Sequence, residues 1–523
     1  MNLWTAMMLE TDAANWKDCI GEDQCIPEGR PCPTHDVFAY NGNDAYWPVV
    51  ALPKMIQRAK LRGVDWLYPL HRDLSVVLSK MSERGILVDT EYVKDLEGKF
   101  DADRRNYYRA EEIRVPGKRP GTTKKGIRIC GSLGFNPDSP RQVRQALQGA
   151  GISVKNSEED TLRTALEDYP DHPLLTALLD YKELGHGAGR WFAPRKWNYE
   201  SRDWTGYVHP DGYIHPSFSL FTSSGRLASS NPNFQNIAVR RGKEIRKAVI
   251  APKGQAIYEA DLSNAENRAF LWMAGYTELP KIDLHSWVLS LLNLAEDHPF
   301  SVKMGGARQA AKSVQHASNY GEGLSLLTEK QLSSVTIRSE VRAGARIVFE
   351  DWTFNDGGVT SCVSFTGAHL AERAFGNKSR ESRRLALEVQ EKYFARFPLV
   401  RQLQRKITAQ IERERAVRPP SGLVTPSYGY AADRIKSAFA LWGSQPVAMW
   451  TKLAMLKAET EPQLSLRAQI HDALFFYVDI LLDTKFVSSK IKDVLTVSVP
   501  NMDGMFIPSD VKRGLNWAEM EKI

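Results

Sequence analysis

Apolar and polar residues alternate strictly over Leu464-Ser465-Leu466-Arg467-Ala468-Gln469-Ile470, and a second apolar run follows from Ala473 to Val478. Period-two alternation marks a half-buried strand, so the two runs predict a hairpin with His471-Asp472 at its tip. A further strand is expected over Gln255-Ala256-Ile257-Tyr258-Glu259-Ala260-Asp261, whose even positions are apolar while Ile257, Glu259 and Asp261 share the other face. Elsewhere the period is helical. Leu74, Val77, Leu78 and Met81 recur at helix spacing within a helical stretch from Pro53 to about Phe100. Further helices are expected over Pro140–Ala150, with Ser139 as its cap, and over Glu158–Asp168 and Pro173–Leu184. Trp204 to Leu220 reads as short strands and turns, and the first fifty residues read as irregular. Beyond residue 220 strands and helices alternate to the end, which predicts a mixed α+β body.

At 523 residues the chain exceeds what one compact core holds, so several subdomains are expected. Hydrophobic content of 42% and charged content of 25% are ordinary for a globular protein. The net charge of +7 admits a polyanionic partner without demanding one. No apolar run is long enough to span a bilayer, and Met1 to Asp12 has no basic leader, so a cytoplasmic location without membrane partners is expected. Five cysteines fit a reducing compartment. Cys19, Cys25 and Cys32 precede His35, but gaps of five, six and two residues lack the Cys-x-x-Cys pair of a zinc knuckle, so free thiols are the better reading. Arg114 to Arg128, with Lys118, Arg119, Lys124 and Lys125 among Pro and Gly, reads as an exposed basic loop able to follow a phosphate backbone or simply to stay solvated.

The candidate chemistry lies at the strand ends. Asp261 and Asp472 each close a predicted strand. Two carboxylates on neighbouring strands make a site for two Mg2+ ions, which can flank both oxygens of an in-line phosphoryl transfer. Strand-end aspartates by themselves are more often turn residues. Asp261 is followed by Ser263 and Glu266 at the spacing of a capping box, which predicts a helix opening there. Arg308, Lys312, His316 and Tyr320 recur every fourth residue, with Ala307, Ala311, Val314 and Ala317 favouring the opposite side. Two cations, an imidazole and a phenol on one helix face can hold a triphosphate and stack on a base, although a solvated basic stripe has the same spacing. Phe221 to Ile237 is dense in amides and hydroxyls around Arg226, and Gly and Pro keep it from a regular helix. Such a loop can bond sugar, phosphate and minor-groove edges. No Gly-x-x-x-x-Gly-Lys-Ser/Thr loop is present, so a nucleotide must be held without a P-loop.

Together these segments resemble the signature motifs of family A, polymerase I-like DNA polymerases. Thr222–Ile237, Asp261–Arg268, Arg308–Gly321 and Gln469–Leu474 carry the likeness in the family's order, and weaker likeness covers Arg72–Asp89, Phe135–Val143 and Val511–Trp517. The resemblance implies a right-hand polymerase: an antiparallel-sheet palm over 201–275 and 431–523, mainly helical thumb over 51–200, and fingers over 276–430 with an insertion near 333–382. It further implies Asp261 and Asp472 as the ligands of two Mg2+ ions, with Lys312 assisting catalysis. Glu266 would exclude ribose. His285, Arg308, Lys312 and His316 would meet the incoming dNTP, and Tyr320 would stand beside the templating position. Arg226, Asn233, Gln235, Asn236, Gln445, Gln469 and His471 would touch primer–template DNA.

The chain departs from the family pattern in places. His316 stands where Phe or Tyr is usual, so sugar discrimination is expected to differ. Ala473 replaces a carboxylate that commonly follows the second metal aspartate, and Leu441 stands where an amide is usual. Tyr40-Asn41-Gly42-Asn43-Asp44-Ala45 resembles the last motif of the family's 3′–5′ exonuclease, with Tyr40 and Asp44 in matching places. Residues 1–50 are therefore expected to be an exonuclease remnant without proofreading activity, with a separately encoded exonuclease or processivity factor as a candidate partner. The compact, divergent form suggests a viral or phage type, acting in the host cytoplasm. Two alternatives stand beside a DNA polymerase. A single-subunit RNA polymerase would need a small residue in place of Glu266. An inactive DNA-binding relative would be expected to have lost Asp261, Asp472, Arg308 or Lys312.

Overall fold

The computed structural model describes residues 34–99, 139–170, 172–184, 189–198, 203–220, 222, 224–237, 243–321, 324–328, 349–353, 359–365, 368–375, 380–429 and 431–523. Two compact units divide the chain, one reaching to Val76 and the other running from Val77. The first contains the helix Thr34–Leu61, which carries both Pro48 and Pro53. Residues 34–50 are thus helical, where an irregular stretch was expected. Reading proline as a breaker fails at this helix, and the cysteine-bearing residues that suggested irregularity lie outside the described ones. Asp44 sits within this helix, as does the backbone of Tyr40.

In the second unit the three short helices appear where the periodicity places them: Pro140–Gly149, Glu159–Asp168 and Pro173–Leu184. Ser139 caps the first, its hydroxyl accepting from the Gln142 amide, and Pro140 takes the first turn, where the missing N–H is harmless. Val143, Leu147, Leu162, Leu175 and Leu178 bury one face of each helix in a common small core. Between residues 196 and 230 short antiparallel pairs form, among them Ser217–Ser219 with Ala228–Ser230.

The site rests on a five-stranded sheet of β1 (Gln255–Leu262), β2 (Ser465–Ile470), β3 (Ala473–Asp479), β4 (Ser509–Gly514) and β5 (Met520–Lys522). The order is β2-β3-β1-β4-β5 and every neighbouring pair is antiparallel. β3 is buried along nearly its whole length because both faces are covered. Phe475 and Tyr477 join Phe234, Ile245, Ile257 and Trp517 in one cluster. Helices pack around this sheet, among them α1 (Ala265–Ala274), α2 (Leu284–Leu292), α3 (Ala307–Asn319), α4 (Arg380–Arg396), α5 (Pro398–Glu414), α6 (Ala431–Ala458) and α7 (Thr484–Leu495). Helix α6 packs on β3, and α7 on β1 and β4. Phe270, Leu284, Val314, Tyr393, Ile407 and Phe439 form the core that joins α1 to α6.

Leu324–Thr328, Phe349–Thr353 and Val359–Phe365 make a separate three-stranded antiparallel sheet with the last in the middle. It overlaps the segment expected to be an insertion. The basic loop Arg114–Arg128, Phe135 and the cysteines before residue 33 lie outside the described residues. Among the described residues no helix is long and apolar enough to cross a membrane.

Candidate active site

β1, the central strand, carries Asp261 at its C-terminal end, and the β2–β3 hairpin brings Asp472 beside it. Ala473 pairs with Asp261 and with Ile470, so Asp472 is one residue beyond the register partner of Asp261. The turn is tight: His471 takes the left-handed conformation at φ 57, which histidine tolerates better than most side chains. Burial pushes the Asp261 carboxyl up to about 7, and the negative charges of Asp472 and Glu259 add to it. Burial likewise raises the Asp472 carboxyl. Two buried carboxylates side by side cannot both ionise cheaply without positive charge between them. Glu259, one step back along the same face, is already satisfied: Trp517 Nε1 donates to it at 2.6 Å and Lys512 Nζ at 3.2 Å. Arg246 stacks 3.9 Å over the Trp517 ring and braces that support.

The expected capping box does not form. Asn264, at φ 54, is the residue preceding helix α1, and its Oδ1 accepts from the Leu284 amide at 2.8 Å, tying the start of α1 to the start of α2. Asn competes with Ser263 for this position because it adopts the left-handed region readily. Glu266 is thereby released from capping. Its carboxylate pairs with the Arg226 guanidinium and accepts from the Tyr320 hydroxyl. The sequence reading gave Arg268 no role, yet its guanidinium is almost fully buried and donates to the carbonyls of Ser263 (3.0 Å), Pro280 (2.7 Å) and Ile282 (2.5 Å). It clamps the 280–282 loop onto the strand end that carries Asp261.

Helix α3 presents Arg308, Lys312 and His316 on one side and buries Ala307, Ala311, Val314 and Ala317 on the other, as its spacing predicts. Arg308 forms a two-pronged pair with Asp283, at 2.9 and 2.8 Å. Burial alone would raise the Asp283 carboxyl, but the bonds from Arg308 and Ser286 hold it far below the usual range. His285 is 3% exposed, its Nδ1 lies 2.8 Å from Gln315 Oε1, and burial lowers its pKa to about 4. The ring is therefore neutral near pH 7, with its proton on Nδ1 toward the amide oxygen.

One cavity of about 390 Å3 gathers Arg226, Asp261, Glu266, His285, Lys312, His316, His471 and Asp472. A second, of about 600 Å3, is lined by Ser224, Tyr320, Tyr428, Ala440, Leu441 and Ser444 and shares Arg226 and Glu266 with the first. Of the residues expected at DNA, Gln235 and Gln469 are engaged with each other: Gln235 Nε2 donates to Gln469 Oε1 at 2.7 Å and to its carbonyl at 3.1 Å. Gln469 in turn donates to the His471 carbonyl, so the pair buttresses the turn holding Asp472. Asn233 and Asn236 are exposed. Gln445 is fully buried, donates to Thr425 Oγ1 at 2.6 Å, and does not line either cavity. Ser444, its neighbour, does. One residue along a helix turns the side chain by about 100°, so sequence alone cannot choose between adjacent polar residues.

Gly443 faces Tyr320 so closely that an added Cβ would lie 2.9 Å from its Cε1 and 3.0 Å from its hydroxyl. Gly to Ala inside a helix normally stabilises by roughly 0.5–1 kcal/mol. Gly443→Ala should instead show no gain in Tm, because Tyr320 must leave Glu266. A melt raised by several degrees would show that Tyr320 does not need this space.

Among the described residues no group of three or more His, Cys, Asp or Glu is placed to hold a metal ion. On the chemistry of its donors, the Asp261–Asp472 carboxylate pair is the candidate metal centre. Its donors are hard oxygens, and burial raises both carboxyls above the ordinary range.

Residues 115–340, which include Arg226, Asp261, Glu266 and all of α3, match the model of DNA polymerase family A. Over this segment the chain is similar to the family A DNA polymerases. It is 28% identical to the thermostable DNA polymerase I of Thermus thermophilus over 288 residues, covering 50% of this chain and 31% of that protein. It is 24% identical to DNA polymerase I of Synechocystis sp. over 97% of this chain and 48% of that protein. The chain thus spans about a third to a half of the length of these relatives. The POL domain of Pol1 from M. smegmatis, solved in complex with DNA primer-template and dNTP, superposes with a TM-score of 0.62 at 19% identity, over 90% of this chain and 73% of that one. The fold is accordingly the α+β polymerase fold. These relatives are bacterial, where the sequence reading expected a viral or phage type.

Proposed function

We propose that this chain is a template-directed DNA polymerase that adds deoxynucleotides to a primer 3′-end during DNA replication. The observation that carries the reading is the single cavity in which the Asp261–Asp472 pair faces Lys312 and His316 of α3. Phosphoryl transfer needs little covalent help from protein; it needs positioning and charge neutralisation, and both are provided for here. Asp261 and Asp472 would hold two Mg2+ ions. Those ions, when bound, supply Lewis-acid stabilisation of the transferring phosphoryl group and favour deprotonation of the primer 3′-hydroxyl.

The chain's own groups divide the remaining work. Lys312 supplies mobile positive charge for the triphosphate, with Arg308 held ready one turn earlier by Asp283. A phosphate brought against Nε2 of His285 would favour a proton there, since Nδ1 already donates to Gln315. Tyr320 and Arg226 fix the Glu266 carboxylate between the two cavities, where it would crowd a ribose 2′-hydroxyl. The five-stranded sheet would serve as palm, residues 276–430 as fingers, and the helices between 51 and 200 mainly as thumb.

Extension of a 5′-overhang primer–template with Mg2+ and dNTPs tests the reading; good binding without extension would favour an inactive DNA-binding relative. Glu266→Ala should raise ribonucleotide incorporation relative to deoxyribonucleotide by about 10–100-fold, the discrimination one well-placed steric and polar contact supplies. Equal use of NTPs by the unaltered protein would favour an RNA polymerase.

A further inference from the structure

The structure ties the His316 ring on the cavity wall into a chain of buried polar groups. Its Nε2 lies 3.1 Å from Asn267 Nδ2. Asn267 is 1% exposed and its Oδ1 accepts from Asn319 Nδ2 at 2.9 Å. Asn319 is fully buried, and its Oδ1 accepts from the Tyr393 hydroxyl at 2.7 Å. The chain of bonds thus runs from α4 through the end of α3 to α1 and back to α3.

Its direction is set at one end. Tyr393 is fully buried, and burial pushes its pKa far above neutrality, so the phenol keeps its proton. The amide oxygen of Asn319 has none to give, so the hydroxyl donates. Asn319 must then offer Nδ2 to Asn267, and Asn267 must offer Nδ2 to His316. An NH2 group facing Nε2 makes that nitrogen an acceptor, which puts the ring N–H on Nδ1. The backbone is braced to match: Gln404 Nε2 donates to the Ser318 and Asn319 carbonyls at 2.7 and 3.2 Å, closing the end of α3. Successive residues of α1 grip that same end, Glu266 taking Tyr320 and Asn267 taking His316 and Asn319.

We propose that Tyr393, Asn319 and Asn267 form a polarity relay, a set of positioning residues that fixes both the tautomer and the ring plane of His316 on the cavity wall. The incoming nucleotide therefore meets an oriented imidazole. The relay is independent of the polymerase reading, whereas its consequence for nucleotide binding rests on it.

The full chain labelled with 15N-histidine, free of nucleotide and metal, tests the relay by long-range 1H–15N correlation, with His316 assigned through its loss in His316→Phe. The expected signature is a protonated Nδ1 and a bare Nε2 in the unaltered protein. Asn267→Asp, which presents only acceptor oxygens, should reverse it, and Tyr393→Phe, which removes only the anchor hydroxyl, should average it. A protonated Nε2 in the unaltered protein, or one pattern in all variants that fold, would overturn the relay. In primer extension Asn267→Asp should raise KM for dNTP about fivefold with kcat held within about twofold, the loss of roughly one hydrogen bond's worth of orientation. A parallel fall in kcat and Tm would indicate a packing defect instead. If the unaltered protein extends no primer, the proposed function fails while the nitrogen signature still decides the relay.

Discussion

Replacing either Asp261 or Asp472 by Asn is expected to lower the rate of primer extension by at least about a thousandfold, the scale on which removing a charge-stabilising group from a phosphoryl-transfer site acts. The same substitutions should stabilise the fold. Asp261 has a folded-state pKa of about 7 against an ordinary value of 3.8, so between those limits the folded protein binds the proton more tightly than the unfolded chain does. Stability contributed by this group is present at low pH and is lost as pH rises from about 4 to about 7. Above pH 7, in chelator, Asp261→Asn should melt higher than the unaltered protein by an amount equivalent to roughly 1–3 kcal/mol, and near pH 4 the two should nearly coincide. Mg2+ should raise the Tm of the unaltered protein but not of either variant, because an ion that binds only the folded state stabilises by mass action. Loss of activity together with loss of stability at pH 8 would mean that the carboxylates are structural.

Lys312→Ala is expected to reduce kcat/KM for dNTP by about a hundred- to a thousandfold, with little change in Tm. Arg226 lines the cavity and Arg308 lies one turn before Lys312 on α3, but their guanidiniums are committed to Glu266 and Asp283. Lys312 is exposed on the cavity wall that also carries Asp261 and Asp472. An electrostatic partner of a triphosphate in a confined site is worth several kcal/mol to the transition state, whereas an exposed lysine contributes almost nothing to folding. Lys312→Arg should recover part of the activity, since charge is kept but the head group is broader. A loss smaller than about fivefold for Lys312→Ala would place the triphosphate elsewhere.

The site was legible where a local pattern dictates the geometry. Alternation and the apolar run after it set β1 and the β2–β3 hairpin, and with them the placing of Asp261 and Asp472 at strand ends. The four-residue spacing sets the exposed face of α3. What local pattern cannot carry is the pairing of side chains from distant segments. The Ser263–Glu266 spacing suggests a cap, but Asn264 takes the left-handed position and Glu266 turns to Arg226 and Tyr320. Gln445 reads as a DNA contact, yet the rotation of α6 buries it and turns Ser444 to the cavity. Arg268, Asn267 and Asn319 carry no motif; they become visible only as buried polar groups whose partners lie on other helices. The expected irregularity of residues 34–50 failed for another reason: proline frequency is a weak guide once a helix is long enough to absorb it.

The most direct test of the central claim is single-nucleotide extension on four primer–templates that differ only in the first unpaired base, with Mg2+ and each dNTP supplied separately. The account predicts that the unaltered protein adds only the complementary deoxynucleotide on each template and that both Asn variants of Asp261 and Asp472 add none. Addition that ignores the template base, or persists in either variant, would contradict it.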